Sequence, residues 1–218
     1  MKGIRFGKLH TYDDLRLILS KKEIGAPVVK VSQIDVPDAD GVLDMTDYFG
    51  EPKYSNVKHR FEFSTAAPQG EFLSLYSTVK NALHGKKGRI ILDDDPSFYY
   101  VGRCNVSSFT DEKGIGKITI DCDCEPYKYK ADKTVVSRAV NGTETLTLTN
   151  SRKRAVPEVS ITTDGVLNIR YQMGETINVW DLGSGSFTLP ELELVEGDNF
   201  VTVTGTGTIS FTWQEGAL

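Results

Sequence analysis

The 218-residue chain is 39% apolar and 25% charged, the balance of a soluble globular protein with length for one large β domain or two smaller ones. Its net charge of −5 comes from the second half: residues 1–130 carry 19 basic and 19 acidic side chains, residues 131–218 carry 6 and 11. Neither half is therefore basic enough to hold a phosphate backbone. No apolar run approaches the roughly 20 residues of a membrane helix. The start, Met1 to Gly7, lacks the apolar segment of a signal peptide, which implies synthesis in a cytoplasm without export. Three cysteines, an odd number, argue against a disulfide framework.

Leu15, Leu17 and Leu19 alternate with Arg16 and Ile18, the pattern of a first strand. Thr11 with Asp13 and Asp14 offers the competing reading of a helix cap, and the strand is preferred. Lys22–Pro27 reads as a connector and Val28–Val36 as a second strand. The aspartates that follow, Asp38, Asp40, Asp44 and Asp47, invite a calcium-loop reading. Its register fails: Gly41 follows Asp40 directly, and position 47 is Asp where the loop wants Glu. Asp-Gly turns are the expectation. His59–Ser64 alternates as a strand. The period then changes, and apolar residues at 72, 75, 76, 79, 82 and 83 form one helical stripe. Glu71 near its start and Lys80 near its end complement the helix dipole, and Gly85 is placed to end it.

Arg89–Leu92 and Phe98–Val106 read as strands around an Asp93-Asp94-Asp95-Pro96 turn. Lys117–Cys124 has period two throughout. It puts Ile118, Ile120, Cys122 and Cys124 on one face, so the thiols read as small buried apolar groups rather than metal ligands. His10, His59 and His84 are scattered and share no motif.

From residue 131 the texture turns to Thr, Gly and Val, which places a domain boundary there, with domains 1–130 and 131–218. Short strands are predicted at 144–149, 157–162, 165–171, 176–180, 186–189 and 192–194, the spacing of a β-sandwich. The stretch Val195–Trp213 reads as a closing hairpin, with Gly205-Thr206-Gly207 as its turn. Ser151–Arg154 is the one basic cluster of this half and reads as a solvated turn. Trp180 and Trp213 read as core, with a sugar platform as the alternative.

The order of these elements resembles the distal tail proteins of siphophages (the Dit family). The likeness is carried by Val36-Pro37 through Asp40-Gly41-Val42-Leu43-Asp44-Met45-Thr46 and by Tyr54 through Phe61-Glu62-Phe63. It continues in Leu83-His84-Gly85, Ile91 through Pro96, Tyr99 through Arg103, Asp123 through Tyr129, and the carboxyl-terminal run Glu196–Leu218. Two departures are Val57-Lys58-His59-Arg60, where an Asn-Arg-like strand start is expected, and Pro37-Asp38, where Pro-Gly is.

The resemblance implies a mainly β (β-rich α+β) fold: an amino-terminal β-sandwich or barrel-like domain with one α-helix, and a carboxyl-terminal galectin-like or carbohydrate-module-like β-sandwich. It implies a structural virion component of the phage tail tip made in the host cytoplasm, and not an enzyme. The partners implied are itself in a homo-hexameric ring, the tail tube protein, and a tail-associated lysin or other baseplate proteins. No cofactor, metal, nucleic-acid specificity or membrane insertion is expected. The alternative is a carbohydrate-binding module that contacts host glycan. The loop from Asp44 to Tyr54, with Tyr48, Phe49 and Tyr54, is the expected contributor to one face of the ring interface.

Overall fold

The computed structural model describes residues 3–48, 50–65, 67–112 and 114–218. The protein is mainly β, with one α-helix among the described residues. It divides into two compact units, Met1–Lys128 together with Leu218, and Tyr129–Ala217.

In the first unit, β1 (Ile4–Phe6), β2 (Leu9–His10), β3 (Leu17–Ile24), β4 (Gln33–Asp35), β5 (Val42–Asp44), β6 (Val57–Thr65), β7 (Lys87–Leu92), β8 (Phe98–Glu112) and β9 (Ile115–Cys124) accompany α1 (Phe72–Leu83). All but β4 and β5 form one antiparallel sheet in the order β2-β1-β7-β8-β9-β6-β3. Strands β1 and β6 lie four positions apart in this order, roughly 19 Å in a flat sheet at the usual strand spacing. Yet the rings of Phe6 and Phe61 meet edge to face at 6.2 Å. The sheet therefore curls over its own core. α1 lays Val79 and Leu83 into that core with Leu75, Tyr76 and Ala82 beside them, the stripe its period predicts. Gly85, at φ +75°, turns the chain out of the helix.

The first strand departs from expectation in register. Residues 11–15 form a turn closed by Asp14, whose carboxylate accepts from His10 N at 2.7 Å, and β3 starts only at Leu17. It runs on through Lys22, Glu23 and Ile24, which read as a connector, because a bulge between Leu19 and Lys21 breaks the alternation while pairing to β6 continues. Its outer half is an edge strand of charged residues, a composition that discourages pairing with other chains.

The three aspartates of the 93–95 turn each brace a different partner. Asp93 accepts from Gly3 N at 2.7 Å and lies 3.0 Å from His10 Nε2, Asp94 pairs with Lys22, and Asp95 pairs with Lys128 at 2.9 Å. Burial opposes the charge on Asp93, but its bonds to His10 and Gly3 hold its pKa below the usual carboxylate value.

In the second unit, β10 (Lys128–Lys130) precedes β11 (Thr134–Asn150), β12 (Glu158–Thr162), β13 (Leu167–Met173), β14 (Thr176–Leu182), β15 (Gly185–Thr188), β16 (Gly197–Trp213) and β17 (Gly216–Ala217). The predicted closing hairpin is absent. β16 is one strand of 17 residues, paired antiparallel with all 17 residues of β11. On its other edge, Val201–Thr204 pair with β13 and Thr208–Thr212 with β12, so its two ends serve two different neighbours.

Gly205 and Gly207 mark the change of neighbour. A Cβ on Gly205 (φ +137°) would stand 2.7 Å from Leu167 Cδ2 and 2.9 Å from Val166 O, and one on Gly207 would stand 2.7 Å from Thr162 O. Directly opposite Gly205 is Gly142, also at positive φ (+101°). The glycines thus permit a bend and a close approach within an unbroken strand, not a reversal. Val201, Val203, Ile209, Phe211 and Trp213 all point into the core with Leu148, Ile169 and Tyr171. The predicted strand at 192–194 is likewise absent. Leu192 and Leu194 are buried, but only Leu194 makes a bridge, with Ala155.

Candidate assembly surface

Between β3 and β6 the chain leaves the main sheet. β4 and β5 pair only with each other, Gln33 opposite Asp44, Ile34 opposite Leu43 and Asp35 opposite Val42. The reversal between them uses Asp38 (φ +62°) and Gly41 (φ +78°), so the aspartate-rich stretch is a turn. Below the hairpin the two legs stay together through Met45 N to Ser32 O (2.8 Å), Lys30 N to Lys53 O (2.7 Å) and Ser55 N to Val28 O (2.8 Å). The result is a two-legged arm held by its own backbone.

The arm contributes nothing to the core of its own unit. No described residue between Leu17 and Val57 is buried. Its apolar side chains face outward instead: Val28 is 69% exposed, Val31 60%, Ile34 50% and Leu43 51%. Burying a side chain of this size is worth about 1.5–3 kcal/mol, and a lone two-stranded hairpin is at best marginally stable in water. An arm that leaves several such groups uncovered has the composition of a surface made to be covered.

The expected interface residues fall into separate places here. Asp44, at the end of β5, is exposed and occupied locally. Its carboxylate accepts from Thr46 N at 2.9 Å, and the bonds to Thr46 lower its pKa. Tyr48 stands on the next turn, well exposed. Phe49 lies outside the described residues. Tyr54 sits at the base of the arm, bridged to Val29 and edge to face with Tyr127 at 5.9 Å. The aliphatic residues of β4 and β5 went unmarked in the sequence. Their signal was Ile34-Asp35-Val36 and Val42-Leu43 flanking a Pro-Asp-Ala-Asp-Gly turn, a hairpin whose two faces are both apolar in part.

Among the described residues no three His, Cys, Asp or Glu side chains converge as metal ligands would. The basic cluster is paired off: Arg152 with Glu196 (2.6 Å), Arg154 with Glu193 (2.8 Å), and Lys153 over the Tyr129 ring (4.8 Å). Trp213 is 2% exposed and offers no face to a sugar, while Trp180 packs half-buried against the same core.

No protein-family model matches the chain, and no curated protein matches it in sequence. Solved structures do. The crystal structure of SPP1 Dit (gp 19.1), described as a paradigm of the hub adsorption apparatus in phages infecting Gram-positive bacteria, is similar over 100% of both chains, with a TM-score of 0.73 at 16% identity. The chain has the fold of a phage distal tail protein. Chains of the phage p2 baseplate in its activated conformation are more distantly similar. One, with strontium, gives a TM-score of 0.45 at 6% identity over 99% of this chain and 98% of that one. Another, with calcium, gives 0.40 at 7% over 90% and 91%. The arm lies outside both the main sheet and the core of the first unit.

Proposed function

We propose that the protein is a structural, non-catalytic component of a siphophage tail tip. In this reading it assembles with copies of itself into a hexameric ring that joins the tail tube to the baseplate or a tail-associated lysin. The observation that carries the reading is the end-to-end likeness to SPP1 Dit. The uncovered apolar arm supports it independently, because a cyclic ring needs a heterologous contact in which one patch of each copy fits a different patch of the next. The arm supplies a patch of that kind, with Ile34, Val42 and Leu43 on the hairpin and Tyr48 on the following turn.

Mass photometry of the purified chain, alone and with its tail tube protein, tests the ring. A six-copy species is expected, and a strict monomer at high protein concentration contradicts the proposal. Changing Tyr48 and Phe49 together to Asp tests the share of the loop from Asp44 to Tyr54. Loss of the ring is expected, and an intact ring removes that loop from the interface.

A second reading concerns the second unit alone, as a module that binds host glycan. Phe200 favours it. It is 60% exposed on the outward row of β16 beside Thr147 and two residues from Thr202, where a ring can stack on a sugar. A glycan array compares the protein with Phe200→Ala. Binding lost on substitution supports this reading, and no binding by the unsubstituted chain removes it.

A further inference from the structure

Strands β8 and β9 set two of the three thiols against each other. Cys104 and Cys122 are direct partners across this antiparallel pair, and the Cys122 thiol donates to Cys104 Sγ at 2.8 Å. Opposed residues on antiparallel strands have Cα atoms about 4.5 or 5.5 Å apart, and both spacings lie in the range a disulfide bridges. Cys124, two residues on, has Gly102 as its partner, so no thiol faces it from β8.

All three thiols are buried, and burial alone leaves a thiol inert. Cys122 lines a cleft of about 690 Å³ with Ile24, Arg60 and Asn105 yet is 0% exposed, whereas Cys104 keeps 4% of its surface exposed. Cys104 lines a cleft of about 180 Å³ walled by Phe6, Leu83 and Ile90 and rimmed by Lys86, Lys87 and Arg89. The cleft gives a small reagent a route to this residue.

We infer that Cys104 and Cys122 form a disulfide-exchange site, closed by a small aliphatic disulfide that reaches Cys104 through this cleft. The Cys104 thiolate attacks one sulfur of the reagent. The reagent's sulfur–sulfur bond breaks, its other half leaves as a thiolate, and a mixed disulfide remains on Cys104. The Cys122 sulfur then attacks Cys104 Sγ, expels the second half of the reagent, and gives that leaving thiolate its proton. Two protein thiols are oxidised and one reagent disulfide is reduced to two thiols. The order of roles follows from access: Cys104 stands on the cleft, while the bond to Cys104 and then burial push the Cys122 thiol up, so Cys122 acts second. Cys124, its thiol pushed up to about 12 by burial, stays reduced. The site does not depend on the assembly reading.

The test treats the native full-length protein with 2-hydroxyethyl disulfide, then alkylates it in denaturant and measures its intact mass. The expected product has lost two hydrogens and takes one alkyl group in place of three. Cys124→Ala loses the same two hydrogens and takes none. Cys122→Ala stops at the mixed disulfide. Because Asp123 separates Cys122 from Cys124, digestion on the amino side of aspartate identifies the linked pair in the unsubstituted chain without relying on a variant that must fold. Three alkyl groups on the treated protein, or a link from Cys104 to Cys124, overturns the inference.

Discussion

The arm of the first unit and the long β11–β16 pair of the second are written in the same local code. Each is an extended segment with β-branched residues alternating with polar ones, and each holds glycine at positive φ. They end in opposite states. Along β16, Val201, Val203, Ile209 and Phe211 are fully buried. In the arm, Ile34, Val42 and Leu43 stand in solvent. Alternation therefore specifies a strand with two unlike faces and says nothing of what covers the apolar one. In the second unit the cover lies in the same chain, in Leu148, Ile169 and Tyr171. Among the described residues nothing buries Ile34, Val42 or Leu43.

The comparison can be broken most forcefully in the second unit. Phe211→Ala should cost about 3–5 kcal/mol, the usual loss for a buried ring in a close-packed core. Both tryptophans, Trp180 and Trp213, lie in this unit, so their fluorescence during urea unfolding reports the change without interference from the first. A loss under about 1 kcal/mol would mean the alternation of β16 is not consumed by packing.

A pair of glycine substitutions separates steric crowding from backbone strain at the bend. Gly205→Ala should cost about 3 kcal/mol or more, because a left-handed backbone and a methyl group driven into Leu167 and Val166 act together. Gly142→Ala, its direct partner, has open space around the added atom and should cost only the strain, about 1–2 kcal/mol. Equal costs would contradict the close approach at Gly205.

In the first unit a smaller effect should appear as a slope. His59 is buried, accepts from Gly25 N through Nδ1 at 3.2 Å, and meets the Tyr100 ring at 4.5 Å. Burial lowers its pKa from the ordinary 6.5. The folded state thus binds its proton less readily than the unfolded state. The stabilising contribution is complete above pH 6.5 and is lost as pH falls below it, at no more than roughly 1.4 kcal/mol per pH unit. Calorimetric melts of the parent and His59→Gln between pH 7.5 and 5 should diverge in this sense, and parallel profiles would remove His59 from the account. The smallest effect belongs to the arm. Ile34→Asp with Leu43→Asp should leave the protomer's stability within about 0.5 kcal/mol, as for surface changes far from the core.

How much was legible in the sequence follows from the same distinction. The helix was readable because six apolar residues at helical spacing between Pro68 and Gly85 fit no strand. The strand from Lys117 to Cys124 was readable because its period never breaks. The hairpin at 195–213 was misread because a three-residue loop preserves the phase of alternation as well as an unbroken strand does. Only the 17 facing residues of β11 decide between them. β3 was cut short because the bulge at Leu19/Lys21 shifts its phase. In the candidate surface, Tyr48 and Tyr54 stand out in the sequence as aromatics, while Ile34 and Leu43 do not. The exposure of Ile34 and Leu43 is a property of the tertiary structure, and a strand with apolar residues is otherwise expected to bury them.

The central claim is that the arm's apolar face is reserved for another copy of the chain. Sedimentation velocity of the full-length protein beside Ile34→Asp/Leu43→Asp tests it most directly. The account predicts a multi-copy ring for the parent and a folded monomer for the variant. A variant that assembles as well as the parent would contradict it.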